Sequence, residues 1–119
     1  MDHNLSEKHV NTNSYVDSAK EFIRLNFYRN VSVKEVADHV GLSDRYLYNL
    51  FIKHIGKSPK EYLTELKIEK AKRLLITSNY SVSEIAVSCG FGDVLSFSKY
   101  FSKKVGVSPT AYKNRKKQS

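Results

Sequence analysis

The 119-residue chain has one cysteine, Cys89, no tryptophan, two prolines and five glycines. A single cysteine forms no internal disulfide and no cysteine-based zinc cage, so the chain needs no oxidising compartment. No apolar run approaches the roughly 20 residues that cross a bilayer. Met1 to Ser14 is polar and lacks a signal-peptide core, so a cytoplasmic protein without membrane contact is expected. Few prolines and glycines among many Leu, Lys, Glu and Ala favour helices over a sandwich of short strands. Acidic residues are in deficit, 12 against 20 Lys+Arg, for a formal charge of +8. That excess directs the chain towards a polyanion, without distinguishing DNA, RNA and anionic lipid. With 40% hydrophobic and 12% aromatic residues there is enough apolar surface to close a core in one domain or two very small ones.

The chain repeats itself. Ser32–Gly41 (SVKEVADHVG) lies on Ser81–Gly90 (SVSEIAVSCG) with five of ten residues identical. Phe51–Tyr62 (FIKHIGKSPKEY) lies on Phe101–Tyr112 (FSKKVGVSPTAY) with six of twelve identical. The second copy carries one extra residue, Phe91-Gly92 against Leu42. One supersecondary unit is thus used twice. Ser32 and Ser81 each precede a glutamate by three residues, Glu35 and Glu84, forming capping boxes that open short helices. Gly41 and Gly90 fit the left-handed position that ends them. New helices capped by Ser43 and Asp93 follow and run to Gly56 and Gly106. Leu47, Leu50, Phe51 and Ile55 make the apolar stripe of one; Phe97, Tyr100, Phe101 and Val105 make that of the other. Ser58-Pro59 and Ser108-Pro109 start two further helices, to about Thr77 and about Lys116. An amphipathic helix from about Tyr15 to Tyr28 precedes the first unit, with Val16, Ala19, Phe22, Ile23 and Phe27 at helical spacing.

The expected fold is all-α: seven helices forming two helix-turn-helix, homeodomain-like subdomains joined by a long linker helix. Residues 1–14 are a flexible polar segment, 15–57 the first subdomain, 58–78 the linker helix, 79–116 the second subdomain and 117–119 the end of a basic tail. Helix, glycine turn, helix in a basic chain is the pattern whose second helix enters the DNA major groove. A linker of close to 30 Å, at ~1.5 Å per residue, suits two reading heads on successive major-groove faces ~34 Å apart.

Ser81–Tyr112 also resembles the signature of the AraC/XylS family of bacterial transcription regulators, in its I-A-x-x-x-G-F, F-S-K-x-F and G-x-S-P-x-x-Y motifs. The resemblance covers about Tyr15 to Arg115. It implies the DNA-binding domain of a regulator, usually an activator, with RNA polymerase as a further partner. In many members an effector-binding or dimerisation domain precedes this one, and none is read in these residues. There are two departures from the family pattern. Gly92 stands in the turn where a larger polar residue is common, and Val94 and Leu95 replace frequent polar base readers.

In the first unit the candidate base readers are Asp44, Arg45, Tyr48 and Asn49; Arg45 suits guanine and Asn49 suits adenine. In the second they are Val94, Leu95, Ser96, Ser98 and Lys99. Val94 and Leu95 can meet a thymine methyl but cannot form bidentate bonds. Candidate phosphate contacts are the helix starts at Ser32 and Ser81 together with Lys53, Lys103 and Lys104; for these lysines and His54, complementing the helix dipole is the competing role. Lys113, Arg115, Lys116 and Lys117 are candidates for diffuse attraction, with a frayed, solvated terminus as the competing reading. An enzyme is not expected. Cys89 matches Val40 of the first copy and reads as a small buried hydrophobe. His3, His9, His39 and His54 lack metal-ligand spacing, no glycine-rich phosphate loop occurs, and no cofactor is called for. Tyr62 and Tyr112, at matching repeat positions, read as packing residues. The competing functions are a helical partner-interaction module and a non-specific nucleic-acid binder.

Overall fold

The computed structural model describes the backbone of residues 2–118 and the side chains of residues 12–115. Among these the chain forms seven α-helices and one 3-10 turn, without strands. They are α1 Asp2–Asn26, the 3-10 turn Phe27–Arg29, α2 Val33–Val40, α3 Asp44–Ile55, α4 Pro59–Thr77, α5 Val82–Ser88, α6 Val94–Val105 and α7 Pro109–Gln118. Two compact units result: Met1–Asn26 with Val31–Leu63, and Phe27–Asn30 with Thr64–Ser119. The long helix α4 contributes to both.

In the first unit α1 packs on α2 and α3. Val16, Ala19 and Ile23 of α1, Val36 and Ala37 of α2, and Leu47, Leu50 and Phe51 of α3 are buried. The capping box is complete: Glu35 N–H donates to Ser32 Oγ at 3.1 Å and Ser32 N–H to Glu35 Oε1 at 3.2 Å. Gly41 takes φ +77°, and Leu42 N–H closes on Ala37 O at 2.9 Å, as in a Schellman turn. Helix α1 differs at both ends from the Tyr15–Tyr28 expected. It starts at Asp2, because no glycine or proline before Gly41 interrupts it and its polar N-terminal residues give no periodic signal. It stops at Asn26, whose Nδ2 donates to Phe22 O at 2.8 Å; the backbone then tightens into the 3-10 turn and leaves through Asn30 at φ +59°. The reading of residues 1–14 as flexible falls mostly on residues 1–11, whose side chains lie outside the described ones. So do those of Lys116 and Lys117.

The second unit repeats the devices. Glu84 N–H donates to Ser81 Oγ at 3.1 Å and Ser81 N–H to Glu84 Oε1 at 2.7 Å. Phe91 N–H closes on Ala86 O at 3.0 Å. Even the aromatic support recurs: Tyr62 meets Phe51 edge-on at 5.9 Å and 74°, and Tyr112 meets Phe101 at 5.5 Å and 74°. The core comprises Ile68, Ala71 and Leu75 of α4, Ile85, Ala86 and Cys89 around α5, Phe91, Phe97 and Phe101, and Tyr112. The extra residue of the second turn lets Phe91 join this cluster, 5.1 Å from the Phe97 ring.

Two lysines of α4 finish α5. Lys67 Nζ donates to Gly90 O at 2.9 Å and sits 5.1 Å from the Phe91 ring centre; Lys70 Nζ donates to Ser88 O at 3.2 Å. Ser88 O ends α5 and Gly90 O lies in the turn after it; both lack intrahelical donors, and ammonium groups supply them here. Burial lowers the Lys67 pKa from its ordinary value. It also pushes the Cys89 thiol up to about 11, against the pull of Lys70, Arg73 and Lys67. Since the thiolate is the reactive form, Cys89 is expected to resist alkylation at pH 8 in the folded protein and to label at once in denaturant. Mass spectrometry of iodoacetamide-treated samples checks this; rapid labelling of native protein would show the core open.

Candidate nucleic-acid interface

Helix α3 starts at Ser43, whose Oγ accepts from Tyr46 N–H at 3.1 Å. With Leu47, Leu50 and Phe51 committed to the core, Asp44, Arg45, Tyr48 and Asn49 are all exposed, as the periodicity requires. Asp44, Arg45 and Tyr48 line one largely apolar groove of about 410 Å³, together with Val33 at the start of α2 and Ser58, Pro59 and Lys60 at the start of α4. Asn49 lies outside that groove. Two residues escaped the sequence reading. Ile52 is exposed, one stripe with Arg45, Tyr48 and Asn49 at spacings of three, four and seven; its signal was that spacing. Lys60 reaches the groove from α4, which only the tertiary contact reveals.

Helix α6 begins at Asp93, whose carboxylate accepts from Ser96 N–H at 2.7 Å and from the Ser96 hydroxyl at 3.0 Å. Those bonds, with a weaker one from Leu95 N–H, hold the Asp93 carboxyl below its ordinary value. A depressed carboxyl strengthens the cap above the usual carboxylate pKa of about 4, and that contribution is lost as pH falls below it. Val94 is half-buried against the core, whereas Leu95, Ser96 and Lys99 are exposed and Ser98 is half-buried. Lys99, Tyr100 and Lys103 line a depression of about 310 Å³ on the helix. Gly92 is open enough that an added Cβ would meet only Asn30 Nδ2, at 3.7 Å.

The candidate phosphate contacts divide. The Ser32 and Ser81 side chains serve the capping boxes, and a glutamate carboxylate stands beside each. Lys53 and Lys103 are exposed in the last turns of α3 and α6. Lys104 faces Glu65 at 4.0 Å, and Lys113 donates to Tyr80 O at 2.9 Å. His54 meets Thr12 Oγ1 at 3.2 Å, and the His39 ring stacks on Phe22 at 4.2 Å. Among the described residues no cluster of three His, Cys, Asp or Glu is placed to hold a metal, and no helix is long and apolar enough to cross a membrane.

The helix-turn-helix domain family matches residues 36–115, two thirds of the chain. The chain belongs to the AraC-type family of helix-turn-helix DNA-binding transcription regulators. Among its AraC-type relatives is the lactose operon transcription activator of Staphylococcus xylosus, 37% identical over 102 residues, or 86% of this chain. The chain spans 37% of that protein's length. The C-terminal domain of AraT, a response regulator from Geobacillus stearothermophilus, has the same fold, with TM-score 0.82 and 30% identity over 85% of this chain and 84% of that one. The DNA-binding domain of AdpA, solved in complex with a target DNA, matches with TM-score 0.74 and 30% identity over 87% and 90% of the two chains.

Proposed function

We propose that the chain binds double-stranded DNA sequence-specifically, each unit laying its second helix, α3 or α6, in a major groove, and that it regulates transcription as an activator. The observation that carries this reading is the exposed stripe of α3, where Arg45, Tyr48 and Asn49 stand clear of the core beside a groove flanked by the starts of α2 and α4. Arg45 and Asn49 have the donor geometry for guanine and adenine edges. Lys53 and Lys103 supply phosphate contacts. The role is one of binding in the cytoplasm, with no catalytic step, and RNA polymerase is the partner through which an activator acts.

The test is selection of bound duplexes from a random ~25-base-pair pool at about 0.15 M salt and at higher salt, because phosphate contacts make affinity salt-dependent. Two short boxes at fixed spacing are expected, one per unit. A single box would restrict reading to one unit, and an unenriched pool whose binding vanishes with salt would leave only charge attraction. On the selected site, Arg45→Ala and Asn49→Ala are each expected to cost about 1–3 kcal/mol and relax one base position. Lys53→Gln and Lys103→Gln are expected to weaken all sequences alike and to lower the salt slope by ~1 each.

A further inference from the structure

The opening turn of α6 presents the groove with an unusual set of groups. Leu95 is 79% exposed, the most exposed large apolar side chain among those described, and it takes no part in the core of its unit. Its neighbours on that turn are otherwise engaged. Val94 packs against the core, and the Ser96 hydroxyl donates to Asp93. Asp93 accepts two hydrogen bonds from Ser96 and is held in its ionised form, so the end of α6 carries a fixed negative charge. A carboxylate there opposes a phosphate at the same place and favours base edges over the backbone. Toward the bases, the first turn therefore offers one free apolar side chain and no free side-chain hydrogen-bond donor on Val94, Leu95 or Ser96. The nearest cationic side chain on the same stripe is Lys99, one turn further on.

Only one base presents an apolar group in the major groove: thymine, through its C5-methyl. We infer that Leu95 reads a thymine C5-methyl group, so that the second unit specifies sequence by apolar contact where the first uses hydrogen bonds. This rests on the DNA-binding reading above. Leu95 is the specificity-determining residue of α6, with Lys99 supplying the charged contact.

The experiment uses the full chain and the selected duplex, each thymine of both boxes replaced in turn by 2′-deoxyuridine, which removes the methyl and leaves base pairing unchanged. The wild-type chain is expected to lose about fourfold in affinity at one thymine, the effect of one buried methyl group. Leu95→Ala is expected to bind the thymine site as weakly as the wild type binds the uridine site, and to lose nothing further on uridine, while Leu95→Met keeps the thymine preference. Thermal unfolding of Leu95→Ala at the wild-type midpoint shows that its fold is intact. Sequence-specific binding that tolerates uridine everywhere overturns the role of Leu95 and leaves the function standing. A uridine loss that persists in Leu95→Ala overturns it too, by assigning the methyl to another side chain. An unenriched pool overturns both readings.

Discussion

Gly90→Ala is expected to destabilise the chain by about 2–5 kcal/mol, the sum of a left-handed backbone and a steric clash. Gly41→Ala, at the same position of the repeat, is expected to cost only about 1–2 kcal/mol. Both glycines have positive φ, +77° at Gly41 and +87° at Gly90, so both pay the conformational term. They differ in what lies beyond the missing side chain. An added Cβ at Gly41 meets nothing within 4 Å, whereas at Gly90 it would fall 2.1 Å from Phe27 O, 3.0 Å from Tyr28 C and 3.1 Å from Asn30 N. Those are backbone atoms of the 3-10 segment, and no change of rotamer removes them. Gly90 O also accepts the Lys67 hydrogen bond, so a shift of the turn disturbs the end of α5 and the approach to α6. Urea unfolding followed by circular dichroism compares the two variants directly. Equal midpoints for them would mean that Phe27–Asn30 does not press on the turn in solution.

Phe101→Ala is expected to cost about 3–5 kcal/mol and to abolish specific binding. The ring is fully buried, 5.7 Å from Phe97 and 5.5 Å from Tyr112, and joins the inner face of α6 to α7. On the proposed reading the outer face of α6 meets DNA, and it is held in place only while this inner face is packed. Phe51→Ala is the corresponding change in the first unit, where Phe51 meets Tyr62 with the same 74° tilt. Leu95→Ala, on the outer face, is expected to leave stability within about 0.5 kcal/mol of wild type. Unfolding midpoints and binding to the selected duplex, measured on the same samples, separate the two faces. A Phe101→Ala protein as stable as Leu95→Ala would contradict the packing of α6.

What was legible in the sequence was local. A capping box spans four residues, and Ser32, Ser81, Ser43 and Asp93 all cap as their spacing requires. The periodicity of α3 separated buried Leu47, Leu50 and Phe51 from exposed Asp44, Arg45, Tyr48 and Asn49, because a helix held on one side by a core leaves the opposite stripe to solvent. Some local bonds were passed over, and others depend on neighbours distant in sequence. The Ser58–Glu61 box that opens α4 was present but hidden behind the Ser-Pro signal. Ser96 looked like a free hydroxyl until its bond to Asp93 placed it in the cap. Lys104 looked like a free cation until Glu65 came to face it.

The sequence by itself determined the duplicated helix-turn-helix plan, the ends of α2, α3, α5 and α6, and which stripe of α3 is exposed. These follow from caps, turns and periodicities confined to a few consecutive residues. The tertiary structure alone decided how the positive charge is divided. Lys67 and Lys70, 23 and 18 residues from their acceptors, turn inward to satisfy Gly90 O in the turn after α5 and Ser88 O at its end, while Lys53, Lys99 and Lys103 stay exposed. It also decided that Phe27–Asn30, about 60 residues earlier in the sequence, covers Gly90 and makes the two glycine turns unequal. The physical reason is common to both: a buried carbonyl must find a donor and a buried turn must be covered, and neither demand names its partner in the local sequence.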